Sequence, residues 1–145
     1  MPVFLIAFAV TVADQLTKEF IRSVMMLHES IPVIDGYFHI TYILNRGAAF
    51  GLLEDQRWFF LVVALALYVV YFFIRHRLPA HWLVTTGTGL LLGGALGNAI
   101  DRAFRGAVVD FFDFRIWPVF NVADIAICVG VGFLLWYSWT HVTKE

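Results

Sequence analysis

Four long apolar runs constrain this chain more than anything else in it. They occupy 3–20, 58–74, 83–100 and 122–139, and each approaches the ~20 residues needed to cross ~30 Å of hydrocarbon. Inside lipid a segment has to satisfy its own backbone N–H and C=O groups, so each run is expected as a helix. Of the 145 residues, 61% are apolar and 14% charged, and mean hydropathy is +0.80. A soluble domain averages about half apolar and about a quarter charged residues. The chain therefore reads as a mainly α membrane protein, a four-transmembrane-helix bundle. It forms one domain over 1–145, with outer segments 21–57 and 101–121.

Several classes fall away at once. A net charge of −1 leaves no basic footprint for nucleic acid. A single cysteine, Cys128, excludes an intrachain disulfide and a cysteine-based metal cluster. Set in an apolar run, Cys128 is expected as a small buried hydrophobe. The first run lacks a basic leader and a small-residue cleavage site, and Asp14 and Lys18 interrupt it, so it is read as a retained helix.

Orientation is contested by the charges. The link Arg75-His-Arg-Leu-Pro-Ala-His81 and the Lys144 tail are positive and belong in the cytoplasm, which puts both termini there. The outer connections nevertheless carry Arg22, Arg46, Arg57, Arg102, Arg105 and Arg115. A raw count argues the opposite way unless those arginines are held in a site.

Between the first two runs, residues 37–44 are rich in aromatic and β-branched side chains and follow the turn signal Asp35-Gly36. One or two short strands are expected there, and another at 108–114. Asn45-Arg-Gly-Ala-Ala-Phe-Gly51 follows, with small residues suited to a close backbone approach.

The polar residues set against the apolar runs carry the chemistry. An ionisable group at membrane depth is costly, so it needs a partner or a task. Asp14 and Lys18 are four residues apart and share a helical face. They either neutralise each other or support a site, and in both cases they face the bundle interior. Asn98, Asp101 and Arg102 end the third run as one polar stripe. Asp101 and Arg102 diverge around the helix, so each should pair with another segment. Asn121 and Asp124 open the fourth run in the spacing of a capping box, with Asp124 in the dipole-favoured first turn. Asp110, between Val109 and Phe111, sits in a desolvating setting that raises a carboxyl's pKa. Asp113 is its rival, and on a strand the two point to opposite faces. Two carboxylates meeting near a membrane surface would share a proton as an acid–base pair. His39 has no HExxH or comparable cluster around it, so a metal is not expected.

Taken in order, the motifs Asp14-Gln-Leu-Thr-Lys18, Asn45-Arg-Gly-Ala-Ala-Phe-Gly51, Gly93-Gly-Ala-Leu-Gly-Asn98-Ala-Ile-Asp101-Arg102, Val108-Val-Asp110-Phe and Phe120-Asn-Val-Ala-Asp124 resemble those of the bacterial lipoprotein signal peptidases. The resemblance spans nearly the whole chain. It implies an aspartic endopeptidase of the inner membrane with both termini cytoplasmic, working without metal or cofactor near the outer face. It implies Asp110 and Asp124 as the catalytic pair, Asp113 lying outside the matched motif. Asn45, Asn98, Arg102 and Asn121 match positions lining the site, and Asp14, Lys18 and Asp101 match positions supporting it. The extended segment after the first run matches a small extracytoplasmic β-cradle. The implied substrates are diacylglyceryl-modified prolipoproteins, cut just before the lipidated cysteine, with membrane lipid as a further partner and globomycin as an expected inhibitor. The competing reading is a small proton- or ion-coupled transporter using Asp14, Asp101, Asp110 and Asp124 as a relay. Against it, the second run carries no charged residue and the two halves show no repeat.

Overall fold

Each of the four apolar runs forms a helix, and the polar connections supply a small sheet. The computed structural model describes residues 2–48 and 52–141. In chain order the elements are α1 (Pro2–Val24), β1 (Ser30–Ile34), β2 (Phe38–Asn45), α2 (Arg57–Ile74), α3 (Trp82–Arg105), β3 (Val108–Asp113) and α4 (Val122–His141). Of these helices, α2, α3 and α4 are long and apolar enough to cross a membrane. The fold is thus mainly helical with one three-stranded sheet. Part of the Asn45–Gly51 motif, residues 49–51, lies outside the described residues.

α3 is the hub against which α1, α2 and α4 all pack. Apolarity and burial run in opposite directions. α2 is the most apolar of the three long helices, yet Ala64 is its one buried residue. α3 is the least apolar and is mostly buried. Such an inversion suits a lipid exterior, where hydrocarbon faces outward and helix contacts use small and polar groups. The α3–α4 crossing shows why small residues are required. A Cβ added at Gly87 would lie 2.8 Å from the Gly130 carbonyl oxygen, and one at Gly130 would lie 2.6 Å from that of Gly87.

α1 and α3 continue past their apolar runs, by a turn or so, because their polar ends find partners. Asp101, Arg102 and Arg105 are therefore helical, not part of an irregular outer connection. α3 then stops at Gly106, whose φ of 76° is left-handed and whose N–H donates to the Arg102 carbonyl at 3.2 Å. This turn swings the chain directly into β3.

The sheet has the order β1-β2-β3, with both pairings antiparallel. A bulge in β2 between Ile40 and Ile43 places Ile43 opposite Asp110 and Asn45 opposite Val108. β3 is buried on both faces, and Val109 and Phe111 join Ile21, Met25 and Tyr42 in a core that fastens the end of α1 to the sheet. Each such side chain stabilises by about 1.5–3 kcal/mol when removed from water. β2 coincides closely with the strand expected at 37–44 and β3 with that at 108–114. β1 was not anticipated: it is an exposed edge strand containing Pro32, with no alternating pattern to reveal it. After β3 the chain turns back, and the Phe120 carbonyl accepts from the N–H groups of Phe111 (3.0 Å) and Phe112 (2.8 Å). That return sets the first turn of α4 beside Asp110.

Candidate active site

Asp110 on β3 and Asp124 in the first turn of α4 line one cavity of about 450 Å3, with Asn45, Asn98 and Arg102 on its polar side. The remainder of the wall is apolar, including Phe60, Val63 and Leu67 of α2 and Ile127 of α4. Asn121 joins the two carboxylates. Its Nδ2 donates to Asp110 Oδ1 at 2.7 Å, and its backbone N–H donates to Asp124 Oδ2 at 3.1 Å. The Asp124 N–H returns a bond to Asn121 Oδ1 at 2.9 Å, closing a reciprocal cap of the kind the spacing predicts. Of the two capping residues only Asp124 lines the cavity; Asn121, expected at the lining, is 0% exposed and holds both carboxylates from behind it.

Asp110 is 1% exposed, and its second oxygen accepts from Asn45 Nδ2 at 3.0 Å. Burial, and next the charge of Asp124, push its carboxyl up to about 7, against the pull of the Asn45 and Asn121 hydrogen bonds and of the Lys18 charge. Asp124 is half-buried and accepts from Asn98 Nδ2 at 2.8 Å. Among the described residues, neither carboxylate is in an ion pair.

The rival, Asp113, lies elsewhere. It accepts from Thr41 Oγ1 at 2.7 Å and pairs with Arg115 at 2.9 Å, away from the cavity lining. Burial raises its carboxyl, but the hydrogen bonds from Thr41 and Arg115 and the Arg115 charge outweigh it and hold the group below its ordinary value.

Behind the cavity is a closed ionic cluster. Lys18 Nζ lies 2.8 Å from Asp14 Oδ2 and 3.1 Å from Asp101 Oδ2, and all three side chains are at most 1% exposed. Arg105 adds a further contact to Asp101 at 2.9 Å. The cluster also holds backbone: Asp14 accepts from the Ala123 N–H at 2.9 Å and Asp101 from the Val109 N–H at 3.0 Å. It therefore positions the residues immediately preceding both Asp124 and Asp110. Asp101 and Arg102 do pair with different segments, as their helical spacing requires. Arg102 Nη2 donates to the Gly47 carbonyl at 2.8 Å, and its guanidinium lies 4.1 Å from the centre of the Phe60 ring.

Four contributors carried no interpretable sequence signal. Gln15 donates to Asp14, Asp101 and the Gly97 carbonyl, and Gly97 leaves room for the Asp14 carboxylate where a Cβ would collide. Phe60 comes from the featureless second run. Cys128, expected buried, is exposed one turn beyond Asp124 and lines the cavity. Gln15 and Gly97 were within reach, as the neighbours of Asp14 and Asn98 in quoted motifs.

Residues 6–140 match the family model of Signal peptidase (SPase) II. The chain is 43% identical over 137 residues to the lipoprotein signal peptidase of Halothermothrix orenii, with 94% of each chain covered. It is 48% identical over 137 residues to that of Moorella thermoacetica, covering 94% of this chain and 91% of the relative. The lipoprotein signal peptidase of Geobacillus kaustophilus is 45% identical over 150 residues, covering 100% and 97%. Among solved structures, a bacterial membrane enzyme determined by the in meso method at 2.3 Å resolution superposes with a TM-score of 0.89 at 35% identity, covering 99% of this chain and 90% of that one.

Proposed function

This chain belongs to the signal peptidase II family, and we propose that it is an aspartic endopeptidase that removes signal peptides from diacylglyceryl-modified prolipoproteins, cutting just before the lipidated cysteine. The observation that carries the reading is the pairing of Asp110 and Asp124 on one cavity wall with amide partners and, among the described residues, no ion pair to either. The transporter alternative finds no support among the matched relatives, which are peptidases.

Two neighbouring carboxylates in a poorly hydrated site resist double ionisation, so one proton is retained between them. Asp124, at a helix N-terminus with two N–H donors, is the ionised partner. Asp110, the more deeply buried, keeps the proton. Asp124 takes a proton from a water between the pair, and the resulting hydroxide forms a C–O bond to the scissile carbonyl carbon. Asp110 donates a hydrogen bond to the carbonyl oxygen as that oxygen gains charge. The C–N bond then breaks and the leaving amine takes a proton from the dyad. No metal or cofactor is required.

In this reading α1 is the fourth span of one domain over 1–145, its charges compensated from within by the ionic cluster. Both termini lie in the cytoplasm of a bacterium with the protein in its inner membrane, and the sheet forms the outer cradle. The outer arginines Arg22, Arg46, Arg105 and Arg115 each have a carboxylate partner and Arg102 is buried, so their weight in the charge count shrinks. Among the described residues, Arg75 and Arg77 in the short link have none. The substrate's lipid and neighbouring membrane lipid occupy the apolar part of the cavity between α2 and α4, and globomycin-type inhibitors bind there. Arg102 and Asn45 position the peptide or lipid ester.

The test is cleavage of a diacylglyceryl-modified prolipoprotein by the purified protein in detergent. Wild type should release the signal peptide before the lipidated cysteine, and Asp110→Asn and Asp124→Asn should each fall by about 10² or more. A folded wild type that leaves a correctly lipidated substrate intact removes the reading.

A further inference from the structure

The amide orientations around the dyad are decided by donors that cannot accept. Asn45 Oδ1 accepts from the Gly47 N–H at 2.9 Å, Asn121 Oδ1 from the Asp124 N–H at 2.9 Å, and Asn98 Oδ1 from Lys18 Nζ at 2.9 Å. An ammonium or backbone N–H offers no lone pair, so each asparagine must turn its carbonyl to that donor and its NH2 to a carboxylate. Two of these clamps are backbone. The Asn98 carbonyl instead has two side-chain donors, Lys18 Nζ and, at 3.1 Å, Asn121 Nδ2, and Lys18 is itself held by Asp14 and Asp101.

Resting on the peptidase reading above, we propose that Lys18 is a positioning residue: it locks the Asn98 amide with its NH2 toward Asp124 and thereby makes Asp124 the base of the pair. Among the described residues the Lys18 ammonium is in no ion pair with either dyad carboxylate; its charge acts on Asp110 through space, and its hydrogen bond to Asn98 is its route to Asp124. With Lys18 absent, the Asn121 Nδ2 bond alone opposes rotation of the Asn98 amide, so the orientation that presents its carbonyl to Asp124 forfeits one donor instead of two. A carbonyl accepts a hydrogen bond only from the protonated carboxyl, so the flipped state stabilises Asp124 as an acid and misplaces the proton. The other charged groups around Asp124 are Asp110 from β3, Asp101 and Arg102 from α3, and Asp14 from α1. Asp101 and Asp14 are engaged by Lys18, and Arg102 by the Gly47 carbonyl and Phe60, which leaves Asn98 as the side-chain donor on Asp124.

A mutant cycle on the acidic limb of the cleavage rate against pH tests this. Asn98→Ala removes the donor and should move that limb upward by about one pH unit, the order expected for one hydrogen bond to a charged group. Lys18→Met should move it similarly, and Lys18→Met combined with Asn98→Ala should move it no further than Asn98→Ala alone. Because Lys18→Met leaves Asp14 without a cation while Asp101 keeps Arg105, the cycle is repeated with Asp14→Asn added to each member that carries Lys18→Met, which keeps the cluster's charge balanced. Additive shifts in the balanced cycle, or an acidic limb that Lys18→Met leaves in place, overturn the proposal while cleavage itself continues. Loss of all lipoprotein cleavage by wild type overturns the peptidase reading instead, and the two failures are thereby distinct.

Discussion

Two pairs of aspartates sit on either side of one side chain, Asn98, and behave as opposites. Asp14 and Asp101 are fully buried, share the Lys18 ammonium and spend their remaining lone pairs on backbone N–H groups and on Gln15 or Arg105. Asp110 and Asp124 border the cavity and are held by neutral amides and backbone. Burial alone does not separate them, since Asp110 is 1% exposed and Asp101 is 0% exposed. The partners do. Asp14 and Asp101 share an ammonium that offsets their charge, whereas the proposed pair receives only dipoles from its amides, and two neighbouring carboxylates so placed keep one proton between them. The proposed acid–base pair lies where, among the described residues, the carboxylates are in no ion pair, although Arg102 lines the same cavity.

The sharpest way to break that contrast is to remove one charge from each pair. Asp110→Asn or Asp124→Asn should lower turnover by about 10²–10⁴ while the protein remains folded, as read by cleavage rate alongside a thermal melt in detergent. Lys18→Met should reverse the pattern of damage in the ionic cluster, destabilising by about 3–5 kcal/mol through Asp14, which it leaves uncompensated while Asp101 keeps Arg105. A melt indistinguishable from wild type would show that the cluster is not a buried ionic brace.

pH sharpens the comparison further. The Asp110 carboxyl is raised from 3.8 to about 7, so its contribution to stability is complete below the unfolded value and is lost as pH rises through about 7. Wild type should lose both melting temperature and cleavage rate across that window, and Asp110→Asn should show no stability step there. A basic limb well above 8 would sink the assignment of the shared proton to Asp110.

Smaller effects test the margins. Asn45→Ala takes one donor from Asp110 and should cost about tenfold in turnover with the fold intact, measured as kcat on the lipidated substrate. Asp113→Asn should change turnover by no more than about twofold, because that carboxylate is engaged with Thr41 and Arg115 off the cavity. A loss at Asp113 comparable to that at Asp110 would erase the distinction between the two β3 aspartates.

Much of this arrangement is legible before folding. Runs of apolar residues of bilayer length dictate helices because lipid offers the backbone no other partner. The i, i+4 spacing of Asp14 and Lys18, and the capping pattern of Asn121 and Asp124, are local geometry, and local geometry survives into the fold. β2 and β3 announce themselves by aromatic and β-branched content, whereas β1, short and carrying Pro32, does not. The inward face of α1 was expected on cost alone, since a charge pair in lipid has nowhere else to go.

What the sequence by itself determined is therefore the set of helices, the strand-forming segments and the polar residues that could not face hydrocarbon. Only the tertiary structure decided which carboxylates meet which partners. Asn98 reaches Lys18, 80 positions away, and Asp124 at once, Asp14 reaches across 109 positions to the Ala123 N–H, and Phe60 meets Arg102 from a helix with no polar signal. Those contacts depend on how closely α1 and α4 approach α3, which is set by glycines such as Gly87, Gly97 and Gly130 acting through space. Spacing along a chain encodes what one helix or strand can do alone. The protonation of a carboxylate depends on what other segments bring to it.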